Sequence, residues 1–296
     1  RGEVWVAMLD TKAGWDELIR RHAPDADIRD AVLANPLYDN ITGRFVHSHE
    51  YLAMERLHDL HAQGAFDLVI VDTPPSRNAL SILDAPGRMV DFFGSRLLRW
   101  LTVPYRSRLF TMASKPFYQV ADRVLGSRFL QDIADFFVLF QAMESGFVRR
   151  AREVEALLVD ARTAFVVVTT LETAPSHEAR HLARSLSERH MSLGAIVANR
   201  VLPAELAGTA AADSATALLD AVPGVLGEVV AERLGAPVAE VRSALTQVAV
   251  RFDDVALVAA AESDRRAELA ALAPTLVSVP WLDGDIHDVV GLGRLA

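Results

Sequence analysis

Phe66-Asp67-Leu68-Val69-Ile70-Val71-Asp72-Thr73-Pro74-Pro75-Ser76-Arg77-Asn78 is the stretch on which the reading of this chain turns. Four consecutive β-formers, Leu68 to Val71, deliver the carboxylate of Asp72 into a Pro-Pro turn that a helix does not accommodate. A short apolar run without alternation is the pattern of a strand covered on both faces in a parallel sheet. A strand is therefore expected over 67–72, with Asp72 at its C-terminal tip. Ligands of open parallel sheets bind beyond such tips, although the same residues also suit a strand that merely ends in Asp and turns.

Outward from this stretch, Glu3-Val4-Trp5-Val6-Ala7-Met8-Leu9 reads as a second strand over 2–9. Helical spacing follows at about 12–22, 27–34 and 47–63, with Gly64 placed to close the last helix. From Asn78 to about Asp160 apolar residues recur at helical spacing, with turn signals at Pro86-Gly87, Pro104, Pro116 and Gly126-Ser127. Strand patterns resume at Ala164–Thr170, Leu193–Asn199 and Thr275–Val279, separated by a helix over about 175–190, a connection at Pro203–Gly208 and further helices. Apolar strands alternating with helices predict the α/β class, a mainly parallel sheet flanked by helices with an inserted all-helical subdomain. The expected division is 1–85 with 161–296 as the α/β domain and 86–160 as the helical subdomain.

Composition narrows the function classes. The 296 residues carry a formal charge of −9, which argues against nucleic acid as a partner, because phosphate backbones need clustered Lys and Arg. Hydrophobic residues make up 51%, yet no run approaches the roughly eighteen apolar residues that cross a bilayer. The absence of cysteine excludes disulfides and thiolate metal sites. Arg96, Arg99, Arg106, Arg108, Lys115, Arg123 and Arg128 lie among Leu97, Leu98, Trp100, Leu101, Phe110 and Phe117. That mixture suits peripheral membrane contact or an acidic partner, and equally a helical lobe whose cations lie over its own apolar surface. His47, His49, Glu50, His58 and His61 are read as solvated helix residues rather than a metal site, since a zinc site without cysteine needs four well-oriented ligands.

Asp72-Thr73-Pro74-Pro75-Ser76-Arg77-Asn78-Ala79-Leu80, followed by Leu83-Asp84-Ala85-Pro86, resembles switch II of the ArsA-like ATPases. That family comprises arsenical-pump and tail-anchored-protein-targeting ATPases, and the chain is most similar to its actinobacterial anion-transporting branch. The likeness continues more weakly through Ala198-Asn199-Arg200-Val201 and Val279-Pro280-Trp281-Leu282-Asp283. It implies a P-loop NTPase-like fold of the deviant Walker A class, ATP and Mg2+ as ligands, and ATP hydrolysis in the cytoplasm. It also implies a homodimer, or a heterodimer with a paralogous ArsA-like ATPase.

By the same resemblance Asp72 would hold Mg2+ through water, and the backbone of Thr73, Pro74, Pro75 and Ser76 would sense the γ-phosphate. Asn199 and Arg200, with Pro280 and Trp281, would form the adenine site. An Asn both donates and accepts, as the adenine edge requires, but an Asx turn ending a strand is its common alternative. Glu172 would reach a nucleotide across a dimer, or else begin a helix ahead of Pro175. No Gly-x-x-x-x-Gly-Lys-Ser/Thr occurs, so the phosphate cradle and the switch I aspartate are expected in a segment before Arg1, and no catalytic base is assigned. The competing reading is a non-catalytic pseudo-ATPase or chaperone-like partner of a paralogous ATPase. Its helical lobe would hold an apolar client segment against Phe92, Phe93, Leu97, Leu98, Trp100, Leu101, Phe136, Phe137, Leu139 and Phe140, residues that also suit ordinary core packing.

Overall fold

Trp15, Leu18 and Ile19 fall on one helix face, and in the computed structural model they are the buried residues of α1 (Thr11–His22). The structure describes residues 2–38, 48–73, 79–95, 127–282 and 284–293. Asp10 caps α1 by accepting the Ala13 N–H at 2.9 Å, while Arg20, Arg21 and His22 occupy its last turn, where the helix dipole favours positive charge. The helices α2 (Ala26–Leu33), α3 (Ser48–Gln63), α4 (Ala79–Gly94), α5 (Ser127–Gln141) and α6 (Glu144–Leu158) follow within a compact unit spanning Arg1–Asp160. Gly64 ends α3 at φ +61°, the left-handed conformation that the sequence assigned to it.

The core of this unit is aromatic. Phe93, Phe136 and Phe147 surround Phe140, with ring centroids between 5.3 and 5.5 Å for Phe93–Phe140, Phe136–Phe140 and Phe140–Phe147. Trp15, Tyr38 and Tyr51 complete the cluster, and Phe92, Phe137 and Leu139 pack against it. Among the described residues, the candidates for a client groove are thus spent on internal packing; Leu97, Leu98, Trp100 and Leu101 lie outside the described residues, as does the basic stretch from Arg96 to Arg123.

Charge is buried beside these rings. Arg150 donates from Nε to Glu55 at 2.8 Å, from Nη2 to Asp59 at 2.6 Å and from Nη1 to His58 Nδ1 at 2.6 Å. Arg21 grips the same Asp59 at 2.6 Å, and Tyr51 donates its hydroxyl to Glu55, which is 2% exposed. Burial holds Glu55 above the usual carboxylate range despite those bonds. His58 is therefore part of a packed ion network, not the solvated residue expected, because Arg150 arrives from a helix distant in sequence. His49, by contrast, meets Thr11 Oγ1 at 2.9 Å in exposed surroundings.

Two expected strands are not present as strands. Residues 2–10 and 65–73 run without helix or strand, and Val4 (93%), Met8 (93%), Leu68 (74%) and Ile70 (82%) stand exposed. Apolar patterning sets side-chain preference, but a strand also needs a neighbouring backbone to complete its ladder, and these runs have none among the described residues. The turn expected at Pro86-Gly87 is likewise absent: Pro86 lies inside α4, with its ring buried.

The second unit, Ala161–Ala296, holds the sheet. Here β1 (Phe165–Thr170), β2 (Leu193–Val201) and β3 (Leu276–Pro280) form three parallel strands in sequence order. Between them run α7 (Thr173–Glu188), a 3-10 turn at Ala204–Ala207, α8 (Thr209–Ala221), α9 (Val225–Leu234) and the 33-residue α10 (Val238–Ala270); α11 (Val289–Leu292) follows β3. Val167, Thr169, Ile196 and Ala198 are buried on the sheet face covered by α7 and α10. On the other face Val168, Val197 and Val277 stand in one register row, with Val168 and Val277 exposed. A parallel sheet with helical crossovers is the predicted α/β architecture, flanked by helices as expected.

Candidate functional site

Because all three strands are parallel, their carboxyl ends share one edge of the sheet, and the residues just beyond them are the place to look for a ligand site. At the end of β2, Asn199 Oδ1 accepts the Arg200 N–H at 3.0 Å, so part of the local, turn-type satisfaction expected of an Asn is observed. This bond orients the amide and leaves the Nδ2 donors outside it. Arg200 adopts φ 57°, a left-handed conformation that costs a branched or long side chain energy and turns the chain sharply. Its guanidinium then lies over the Trp281 ring, 5.5 Å from the centroid.

Trp281 is held there by its backbone. Val201 pairs with Pro280, and the Trp281 N–H donates to Val201 O at 3.0 Å. Asn199, Arg200, Pro280 and Trp281 are thus brought together at adjacent strand ends, with 58% of Trp281 exposed. Thr170 stands in register with Asn199, and its Oγ1 is buried without a hydrogen-bond partner. An exposed aromatic face, a cation, an amide and an orphaned hydroxyl form a set able to stack on and hydrogen-bond a planar heteroaromatic base.

Glu172 sits at the N-cap of α7, and its side chain makes no capping hydrogen bond. Asp72 and Thr73 are exposed and lie in the first unit, while Pro74, Pro75 and Ser76 fall outside the described residues. The chain has two lysines, Lys12 and Lys115, neither of which follows a glycine. The described residues thus fit the base of a nucleotide, and supply no cradle for its phosphates. An open groove of about 510 Å³ along α6, lined by Ser145, Val148, Arg149, Arg152, Glu153 and Ala156, involves none of the sequence-derived site residues.

Sequence reading missed the residues that tie these strands to the helix beside them. Glu262, 9% exposed, accepts the Leu202 N–H at 3.1 Å; Arg265 Nε donates to Leu171 O; Arg266 Nε donates to Ser278 Oγ at 2.9 Å. All three belong to one turn of α10. Their signal was a charged i, i+3, i+4 set on an alanine-rich helix, which by itself reads as an exposed face.

No helix among the described residues is long and apolar enough to cross a membrane; α8 and α9 qualify only as a pair, and they meet at 81°. A sequence model of the family described as Anion-transporting ATPase matches residues 39–215. None of the curated proteins matches the chain.

Proposed function

From the premise that this chain belongs to the anion-transporting, or ArsA-like, ATPase family, we propose that it is an ATP-hydrolysing subunit coupling nucleotide turnover to a helical lobe. The observation that carries this reading is the convergence of Asn199, Arg200, Pro280 and Trp281 at neighbouring ends of β2 and β3. Residues 1–85 and 161–296 would serve the nucleotide, and 86–160 the lobe that meets a client or partner.

In this reading the Asn199 Nδ2 donates to a ring nitrogen of adenine, while the free lone pair of Oδ1 accepts from its amine. Trp281 stacks on the base with one face, and Arg200 covers the other. Thr170 Oγ1, buried beside Asn199, adds a donor to the edge of the ring. Asp72 would accept hydrogen bonds from water on a bound Mg2+, and Thr73 to Ser76 would report the state of the γ-phosphate. When bound, Mg2+ neutralises charge on the transferring phosphoryl group. Glu172, with no capping bond to hold it, is assigned to a nucleotide on a second subunit of a homodimer or paralogous heterodimer.

A second reading, a non-catalytic partner of a paralogous ATPase, draws on the lack of a Gly-x-x-x-x-Gly-Lys-Ser/Thr within these 296 residues. Turnover decides between them. In the full-length protein Asp72→Asn should abolish most Mg2+-dependent hydrolysis while retaining ATP binding, and Asn199→Ala should weaken binding by about 1–3 kcal/mol. Hydrolysis by Asp72→Asn at the wild-type rate would remove Asp72 from the site, and no hydrolysis by the wild type would favour the non-catalytic reading.

A further inference from the structure

Glu262 is an expensive residue to find where it is. Burying a carboxylate is unfavourable unless it is well bonded, and an apolar side chain at the same position of α10 would stabilise the fold at least as well. Its bond goes to the Leu202 N–H, three residues beyond Asn199 and two beyond the left-handed Arg200. Between Asn199, paired with Thr170, and Val201, paired with Pro280, the ladder shifts register at the left-handed Arg200, and this stretch must still present two side chains. A backbone in that condition drifts unless something fixes its far end.

We propose that Glu262 is a positioning residue for base recognition, acting through Leu202 to set where Asn199 and Arg200 stand. The proposal rests on the reading of Asn199, Arg200 and Trp281 as the base site. Arg265, on Leu171 O just past β1, and Arg266, on Ser278 Oγ in the middle of β3, hold the neighbouring strands to the same stretch of α10. Residues 262–266 of α10 therefore hold all three strands at a fixed relative height, and with it the spacing between the amide of Asn199 and the ring of Trp281. An acceptor at position 262 is what the loop needs; a negative charge is not.

The test is the selectivity between ATP and GTP, measured by titration calorimetry on the full-length protein, because a base site that loses its register loses discrimination before it loses affinity for phosphates. Glu262→Met keeps the volume and removes the acceptor; it should weaken ATP about tenfold, leave GTP within twofold and so flatten the ratio. Glu262→Gln retains an acceptor oxygen and should keep the wild-type ratio. Asn199→Ala serves as the reference: if it leaves the ratio unchanged, the base-site reading itself is wrong. If Asn199→Ala flattens the ratio and Glu262→Met does not, the base site stands and the positioning role is refuted. A Gln variant as impaired as the Met variant also refutes it, since charge would then be the requirement. Amide exchange of the wild type needs no variant to fold: the Leu202 N–H should be protected, and exchange at an open-chain rate would overturn the proposal.

Discussion

Replacing Arg150 by methionine should make the stability of this protein depend on pH in a direction opposite to ordinary acid denaturation. Arg150 holds Glu55, Asp59 and His58 together, and its side chain is 14% exposed. Removing one partner of a buried ion pair costs about 3–5 kcal/mol, because the other charge is left in a poor solvent. Asp59 keeps Arg21 at 2.6 Å, so the loss falls mainly on Glu55, which retains the Tyr51 hydroxyl. A loss of about 3 kcal/mol is therefore expected at pH 8. Glu55 is already held above its ordinary value by burial, and loss of the guanidinium pushes it further up.

Between the unfolded and folded values the native state holds a proton that the unfolded chain has released, so stability falls as pH rises through that window. Acidification to pH 5.5 should accordingly return about 1–2 kcal/mol. His58 and His22, pulled down by burial and then by Arg150, are pulled down less in the variant, so relative to wild type they cost it less stability on acidification. Urea unfolding followed by tryptophan fluorescence at the two pH values measures the difference from wild type. Adding Glu55→Gln to Arg150→Met should recover much of the loss at pH 8. A loss below about 1 kcal/mol, or one equal at both pH values, would mean that the network is solvated like a surface pair and that the reasoning from burial is wrong.

Gly146 faces His22 so closely that a Cβ there would stand 2.7 Å from Nδ1, so Gly146→Ala should destabilise by about 1–3 kcal/mol in the same assay, and wild-type stability would refute the contact. His22 itself is held at about 4, below its ordinary 6.5, by burial and then by Arg150, Arg21 and Arg149. The unfolded chain thus gains a proton that the native state refuses, and stability should fall as pH drops from about 6.5 to about 4, by about 2 kcal/mol once solvent screening of the partly open ring is allowed for. His22→Phe should flatten that part of the pH profile, and an unchanged slope would exclude His22 as its source. Gly235 closes α9 at φ +62°, so Gly235→Ala should cost about 1 kcal/mol in thermal unfolding; no shift would contradict the left-handed cap.

What could be read from the chain was what is local. Val166 to Val168 and Ala195 to Val197 carry enough β-branched and apolar character to declare β1 and β2, and Gly64 declares the end of α3 by its freedom to turn left-handed. The same reading applied to Val4–Leu9 and Leu68–Val71 named strands that the structure does not form, because a run of residues says nothing of whether a neighbour offers its N–H and C=O groups. At the site, Asn199 and Trp281 were found through resemblance, and the parallel register of β2 and β3 explains why residues so far apart meet. Glu262, Arg265 and Arg266 were not found, since inward and outward charges look alike on a helix until the sheet beside it is known. His58 was misread for the same reason.

The faces that α10 shows to the rest of its unit are unequal along its length of about 50 Å. Ala249, Ala256 and Ala259 are its buried residues through the middle, and α8, which packs on it, buries Ala211 and Ala215. Alanine against alanine leaves shallow ridges with little to interlock, so movement along the axis meets low steric barriers there. Its last turns, by contrast, are pinned by charged hydrogen bonds. The helix is thus a smooth shaft keyed near one end: it can slide against α8 through its middle, while Leu171, Leu202 and Ser278 fix where it stops.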